Sequence, residues 1–219
     1  MHLGRPAFAY RALKMWKRSW LSREVLLFGC FSGIAGIYAA LLWLQLPMTT
    51  VPGIMTALVG FAGVTASACI YLVRARPAWN TKHTLIEFYL TAALLGPLLV
   101  ACLGVGDRRW LVAGSASAAG CLMLNLAGKF FWMTASDSFE LRASARLLST
   151  ALASRIIARS FLLLLGGIVL PLAWTMPFVT RAAFALALAG EILGRYLFFV
   201  SVVPKNMAAS YLSASKVAP

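Results

Sequence analysis

The stretch EVLLFGCFSGIAGIYAALLWLQL, residues 24–46, decides the fold class. After Glu24 it reaches Leu46 without another charged side chain. A helix of about 20 residues rises about 30 Å, the thickness of a bilayer's hydrocarbon core. Backbone polar groups inside lipid must be satisfied within the segment or in a closed barrel. The stretch shows no alternation of apolar and polar residues, so a barrel strand is excluded and a transmembrane helix is expected.

Five further apolar runs follow: Val51–Val73, Thr84–Gly104, Trp110–Trp132, Ser160–Trp174 and Arg181–Val203. The expected fold is therefore all-α, a polytopic bundle of about six spans. Residues 1–23 form a basic interfacial segment, 24–203 the transmembrane domain and 204–219 a short tail. The fifth run is the shortest and is expected to extend back through Ala151–Ala158 or forward towards Phe178. Composition agrees: 61% of the 219 residues are apolar and 12% charged, against roughly 25% charged in soluble domains.

The net charge of +14 raises nucleic acid as a partner. The pattern rejects it, because the basic residues lie in short patches between apolar runs and not along one stripe. Attraction to anionic lipid headgroups follows from the same patches. Six cations precede the first run (Arg5, Arg11, Lys14, Lys17, Arg18, Arg23), three lie in the 74–83 loop (Arg74, Arg76, Lys82), four in the 133–159 loop (Arg142, Arg146, Arg155, Arg159) and two in the tail (Lys205, Lys216). The opposite side has only Arg108, Arg109 and Arg181. By the positive-inside rule the first side, and both termini, are expected in the cytoplasm. The first twenty-three residues are too polar for a signal-peptide core. Within the 133–159 loop, Asp137–Leu148 is patterned as an amphipathic interfacial helix.

Small residues recur inside the runs. Gly29 with Gly33, and Gly190 with Gly194, have GxxxG spacing; Gly60 and Gly63 share a face. Close helix packing is the reading. Pro97 and Pro171 interrupt apolar runs and are expected to kink them. No long-range internal repeat is visible, which weighs against an inverted-repeat transporter.

Cys30, Cys69, Cys102 and Cys121 each fall in an apolar run, at no metal-ligand spacing, and are expected as buried free thiols. Only His2 and His83 could ligate a haem. Both lie outside the apolar cores, so facing axial ligands are missing and no haem or metal is expected. Glu191 and Arg195 stand four apart on one helix face. Intramembrane ionisable groups are costly; the pair is either an internal ion pair or the wall of a polar pocket. Lys129 is expected to snorkel from a helix end. Glu87 lies near the same side as Arg74 and Arg76, either as a polar cluster or beside ordinary solvated loop charges.

Four strings taken together resemble the membrane anchor subunit of dimethyl sulfoxide reductase and related molybdopterin oxidoreductases. They are His2-Leu-Gly-Arg-Pro6, Ser19-Trp-Leu-Ser-Arg-Glu24, Arg76-Pro-Ala-Trp-Asn80 and Gly190-Glu-Ile-Leu-Gly-Arg195. The resemblance covers essentially the whole sequence. It implies an anchor without haem that oxidises menaquinol and passes the electrons to an iron–sulfur subunit. Molybdopterin and iron–sulfur clusters would be held only by partner subunits, and the complex would sit in a bacterial inner membrane. Residues His2 and Gly4 match the family's quinol-site motif, and an imidazole suits acceptance of a quinol proton. Glu191 and Arg195 are further quinol-site candidates, and Arg23, Arg74, Arg76, Trp79 and Asn80 are candidates for docking the partners. The resemblance also implies eight spans, two of them preceding the motif with which this sequence begins. Two other readings stand beside it: an anchor of a sulfite:quinone oxidoreductase, and a small transporter or channel lined by Glu191 and Arg195.

Overall fold

In the computed structural model, residues 15–173 and 177–205 are described. The described residues form helices and connecting turns without strands. In chain order the helices are α1 (Trp20–Trp43), α2 (Thr50–Ile70), α3 (Lys82–Cys102), α4 (Arg108–Ala135), α5 (Phe139–Ser149), α6 (Ala153–Leu172) and α7 (Pro177–Val200). Among the described residues, six helices, all of these but α5, are long and apolar enough to cross a membrane. The protein divides into two compact units, residues 1–71 and 72–219.

The first unit holds the α1–α2 hairpin. Ser19 opens α1 as its N-cap, its hydroxyl accepting from the Ser22 amide at 3.4 Å, which starts the helix four residues before Glu24. The glycine face of α2 receives aromatic rings of α1. A Cβ on Gly60 would stand 3.0 Å from the Phe31 ring, and one on Gly63 3.3 Å from Phe28. The GxxxG pair of α1 does not serve this packing: Gly29 and Gly33 have nothing within 4 Å of an added Cβ.

The second unit packs α3, α4, α6 and α7 with α5 across one end. Asp107 caps α4, its Oδ1 accepting from the Arg109 amide at 2.7 Å. The fifth span extends backwards to Ala153, one of the two expected alternatives. It holds one wide π turn over Leu165–Val169, and Gly166 and Gly167 lie in that turn. An added Cβ on Gly166 would come within 2.5 Å of the Ala187 amide nitrogen, and one on Gly167 within 2.6 Å of the Ala119 Cβ. These two glycines set the closest approaches of α6 to α7 and α4. Helix α3 continues through Pro97, whose ring lies against Gly114 of α4.

Helix α5 is amphipathic. Leu141, Ala145 and Leu148 are buried, at spacings that place them on one face, while Arg142 and Arg146 are exposed. The segment after α7 is tied to the same end: the Val203 amide donates to Ser144 Oγ at 3.1 Å, and the Lys205 amide to the Ala75 carbonyl at 2.9 Å.

Two apolar clusters result. One, in the middle of the bundle, is built around Leu94, Leu122, Leu163 and Ala187. The other, at the α5 end, is built around Met133, Leu148, Leu152 and Leu197. Large side chains elsewhere on the spans face outward, including Trp110 at 79%, Leu124 at 74% and Phe131 at 73% exposed, as surfaces solvated by lipid would. The four cysteines are free, but none is buried as expected: Cys69 and Cys102 are half-buried, and Cys30 and Cys121 are exposed on helix surfaces, where a small thiol can face lipid.

Candidate functional site: a charged layer inside the bundle

Between the two apolar clusters of the second unit lies a layer of ionisable side chains. Each of four helices contributes. Glu87 stands five residues from the start of α3, Lys129 six from the end of α4, Arg159 six from the start of α6, and Glu191 nine from the end of α7. At about 1.5 Å per residue these positions lie roughly one to three turns inside the same end of the bundle.

Arg159 is the centre. Its Nη2 donates to Glu87 Oε1 at 2.8 Å and lies 3.5 Å from Glu191 Oε1. Lys129 Nζ is 3.7 Å from the other Glu87 oxygen, Oε2, and lies 5.2 Å from the centroid of the Phe198 ring. Glu191 Oε2 accepts from the Thr91 hydroxyl of α3. Arg159, Glu191 and Glu87 are 3%, 4% and 8% exposed. Charges this far from water persist only when paired and hydrogen-bonded. The layer meets that demand incompletely: Arg159 Nε and Glu191 Oε1 are buried and have no hydrogen-bond partner among the described residues.

Gly194 makes this geometry possible. A Cβ there would lie 2.5 Å from both Cζ and Nε of Arg159, so the guanidinium rests directly on the α7 backbone. Gly190, one turn earlier, admits Leu162 and Leu163 in the same way. The GxxxG spacing of α7 is thus the seat of α6, and half of it seats a charge.

A small pocket of about 40 Å³, open in part to the surroundings, adjoins the layer, with Glu87, Lys129 and Arg159 in its wall beside Phe130 and Phe198. A site with two carboxylates, two cations and aromatic faces can donate to and accept from a polar ring and take up protons. Among the described residues no group of three or more His, Cys, Asp and Glu side chains is arranged to hold a metal ion.

The expected site residues are only partly brought together. His2 and Gly4 lie outside the described residues. Glu191 belongs to the layer, but its ionic partner is Arg159 of another helix and not Arg195 on its own. Arg195 lies over the Phe88 ring, 3.7 Å from the centroid. Arg159, expected in the 133–159 loop, stands inside α6, because the helix begins at Ala153. Lys129 turns inward to Glu87 and does not snorkel. Glu87 pairs with these two cations and not with Arg74 or Arg76.

Of the docking candidates, Trp79 is buried. Its indole Nε1 donates to the Phe198 carbonyl at 2.8 Å, and its ring stacks on Phe198 at 5.1 Å between centroids. It props the loop and offers no free surface. Arg76 covers that ring at 4.4 Å, whereas Arg74 and Asn80 are exposed. Arg23, in the first unit, closes the turn before α1 by donating to the carbonyls of Trp16 and Lys17, each at 2.8 Å. Sequence reading also misses His83 and Asn125, which clamp α3 to α4: His83 Nδ1 and Asn125 Oδ1 are 2.7 Å apart.

Comparison with known proteins places this architecture. Residues 1–200 match the family described as DMSO reductase anchor subunit (DmsC). The sequence is 32% identical over 114 residues to the C subunit of the sulfite dehydrogenase of Allochromatium vinosum, a match covering 46% of this protein and 35% of that one. It is 29% identical over 110 residues to the YnfH protein of an anaerobic dimethyl sulfoxide reductase of Escherichia coli, covering 47% and 37%. With the third polypeptide, C, of the anaerobic dimethyl sulfoxide reductase of Haemophilus influenzae it shares 31% over 112 residues, covering 50% and 40%. The matched segments thus span well under half the length of these relatives. No solved structure matches. Six apolar helices and a family match along nearly the whole sequence agree: this protein belongs to the DmsC family of membrane anchor subunits.

Proposed function

We propose that this protein takes electrons from a membrane quinol, menaquinol in the simplest case, and passes them to an iron–sulfur subunit bound to a molybdopterin catalytic subunit. The observation that carries the reading is the charged layer beside an open pocket, buried within the spans of a member of this family. Oxidation of one quinol releases two electrons and two protons. The electrons leave to the clusters of the partner. The protons need acceptors, and the carboxylates of Glu87 and Glu191 stand at the pocket and directly behind it, held by Arg159. Residues His2 and Gly4 would contribute from the amino-terminal segment, and Arg195 from the same helix face as Glu191.

The cation-rich side is assigned to the cytoplasm of a bacterial inner membrane by the positive-inside rule. Arg74, Arg76 and Asn80 form the docking candidates that remain on that side. Arg23 and Trp79 support their own segments instead.

A second reading reverses the electron flow, with a sulfite-oxidising partner delivering electrons to quinone. The similarity to a component of a sulfite dehydrogenase favours it. Purification from native membranes in mild detergent, with mass spectrometry of the co-eluting proteins, tests the assignment. Molybdenum and iron–sulfur subunits are expected, and their absence overturns it. Reduction of quinone on addition of sulfite selects the second reading.

A further inference from the structure

An apolar groove of about 430 Å³ lies between α4, α5 and α6, against about 40 Å³ in the polar pocket. Met123 and Ala127 of α4, Ser149 of α5, and Ile157 and Ser160 of α6 are in its wall. The two hydroxyls are spent within their own helices. Ser149 donates to the Arg146 carbonyl at 3.1 Å, and Ser160 to the Ile156 carbonyl at 3.0 Å. The groove therefore asks nothing polar of an occupant. Its length follows the spans. Ser160 stands seven residues after the start of α6, and Met123 twelve before the end of α4. From the end crossed by α5, the groove thus reaches about 10 Å along one helix and about 18 Å along the other. It is open sideways, since Ala127 is exposed and Ile157 is 67% exposed.

Helix α5 brings charge to the mouth of this groove. Arg142, Arg146 and Ser149 are spaced by four and three residues and share one face. Both arginines are exposed, and among the described residues neither pairs with a carboxylate. Glu140 falls on the opposite side of the helix by its spacing, and its carboxylate accepts from the Ser138 hydroxyl at 2.8 Å. Ser149 thus joins the cationic stripe to the apolar groove. An amphipathic helix with arginines on its polar face attracts anionic headgroups at the membrane surface. The occupant that satisfies both parts is anionic at one end and apolar along the rest.

We propose that α4, α5 and α6 form a binding site for an anionic phospholipid: the headgroup phosphate lies against Arg142 and Arg146, and one acyl chain fills the groove. The site stands apart from the charged layer and does not depend on the quinol reading.

The test uses the complex purified from native membranes, stripped of lipid in detergent and titrated with dioleoyl phosphatidylglycerol or with dioleoyl phosphatidylcholine, which carries the same chains. Native mass spectrometry reads the bound lipid. The wild type is expected to prefer phosphatidylglycerol. Combining Arg142→Gln with Arg146→Gln should weaken phosphatidylglycerol about thirtyfold, about fivefold for each cation removed from beside the headgroup, and leave phosphatidylcholine unchanged. Ala127→Trp, which fills the groove from α4, should weaken both lipids at least about tenfold, the loss of roughly two buried methylene groups. Leu124→Trp, on an outward position of α4 outside the groove, should match the wild type. Ile157→Trp repeats the test from α6 should Ala127→Trp fail to assemble. Equal affinity of the wild type for the two lipids, or an unchanged affinity for phosphatidylglycerol in either the arginine or the groove variant, overturns the proposal. A photo-reactive group on Ile157→Cys, irradiated in the native membrane, gives an independent reading. Capture of phospholipid supports the site, whereas capture of a protein or of a quinone in its place overturns it.

Discussion

The guanidinium of Arg159 lies between two carboxylates brought from helices far apart in sequence, 2.8 Å from Glu87 and 3.5 Å from Glu191. One cation therefore ties α3, α6 and α7 together inside the bundle, and α7 offers Gly194 as its seat.

Removing that cation strands two buried negative charges. Arg159→Gln is expected to destabilise the protein by about 3–5 kcal/mol, the range for breaking a buried ion pair from one side. Lys129→Met should cost less, because Lys129 sits 3.7 Å from Glu87 and its side chain is 12% exposed. Thermal unfolding in detergent checks the order; equal losses would remove Arg159 from the centre of the layer.

Gly194→Ala should displace the guanidinium, since the new Cβ would stand 2.5 Å from it. The neighbouring Gly190→Ala meets leucine side chains at 3.2 Å, which can give by a few tenths of an ångström. Quinol-dependent turnover is expected to drop at least about tenfold more in Gly194→Ala, a difference of about 1.4 kcal/mol. Similar activities in the two variants would argue against a working role for the Arg159 position.

Gly166→Ala would drive a methyl group into the α7 backbone near Ala187, whereas Gly33→Ala would meet nothing within 4 Å. Assembled complex recovered from membranes should fall sharply for the first and stay near wild type for the second. The reverse order would contradict the packing of α6 on α7.

Sidedness is tested with reporter fusions. A reporter in the 74–83 loop should be active in the cytoplasm, and one beside Asp107 on the opposite side. A swapped result overturns the charge argument and moves the docking candidates with it.

The spans are legible in the sequence because lipid imposes a single rule, about twenty predominantly apolar residues, and the long helices from Trp20–Trp43 to Pro177–Val200 obey it. The charged layer is not legible for the same reason. Arg159 ends an apolar run when the run is judged by charge, so it reads as loop although its helix starts six residues earlier. The spacing of Glu191 and Arg195 correctly marks one face, but spacing within a helix says nothing of a partner on another helix. The available signal is depth: Glu87, Lys129, Arg159 and Glu191 all lie inward of the same-side helix ends, two acids and two bases. The glycines mislead in part. Gly60 and Gly194 pack closely as their spacing suggests, while Gly29 and Gly33 do not, and two of the tightest contacts belong to Gly166 and Gly167.

The measurement that bears most directly on the proposed function is electron transfer by the purified complex carrying Glu191→Gln. Two rates are compared, one driven by quinol and one by a dye that reduces the partner subunits directly. Loss of the carboxylate charge leaves Arg159 underpaired and removes a proton acceptor beside the pocket. The quinol-driven rate should therefore fall by about tenfold or more, as the loss of an acid–base group would have it, while the dye-driven rate persists. Wild-type rates from both donors, in an assembled complex, would contradict the assignment of quinol chemistry to the charged layer.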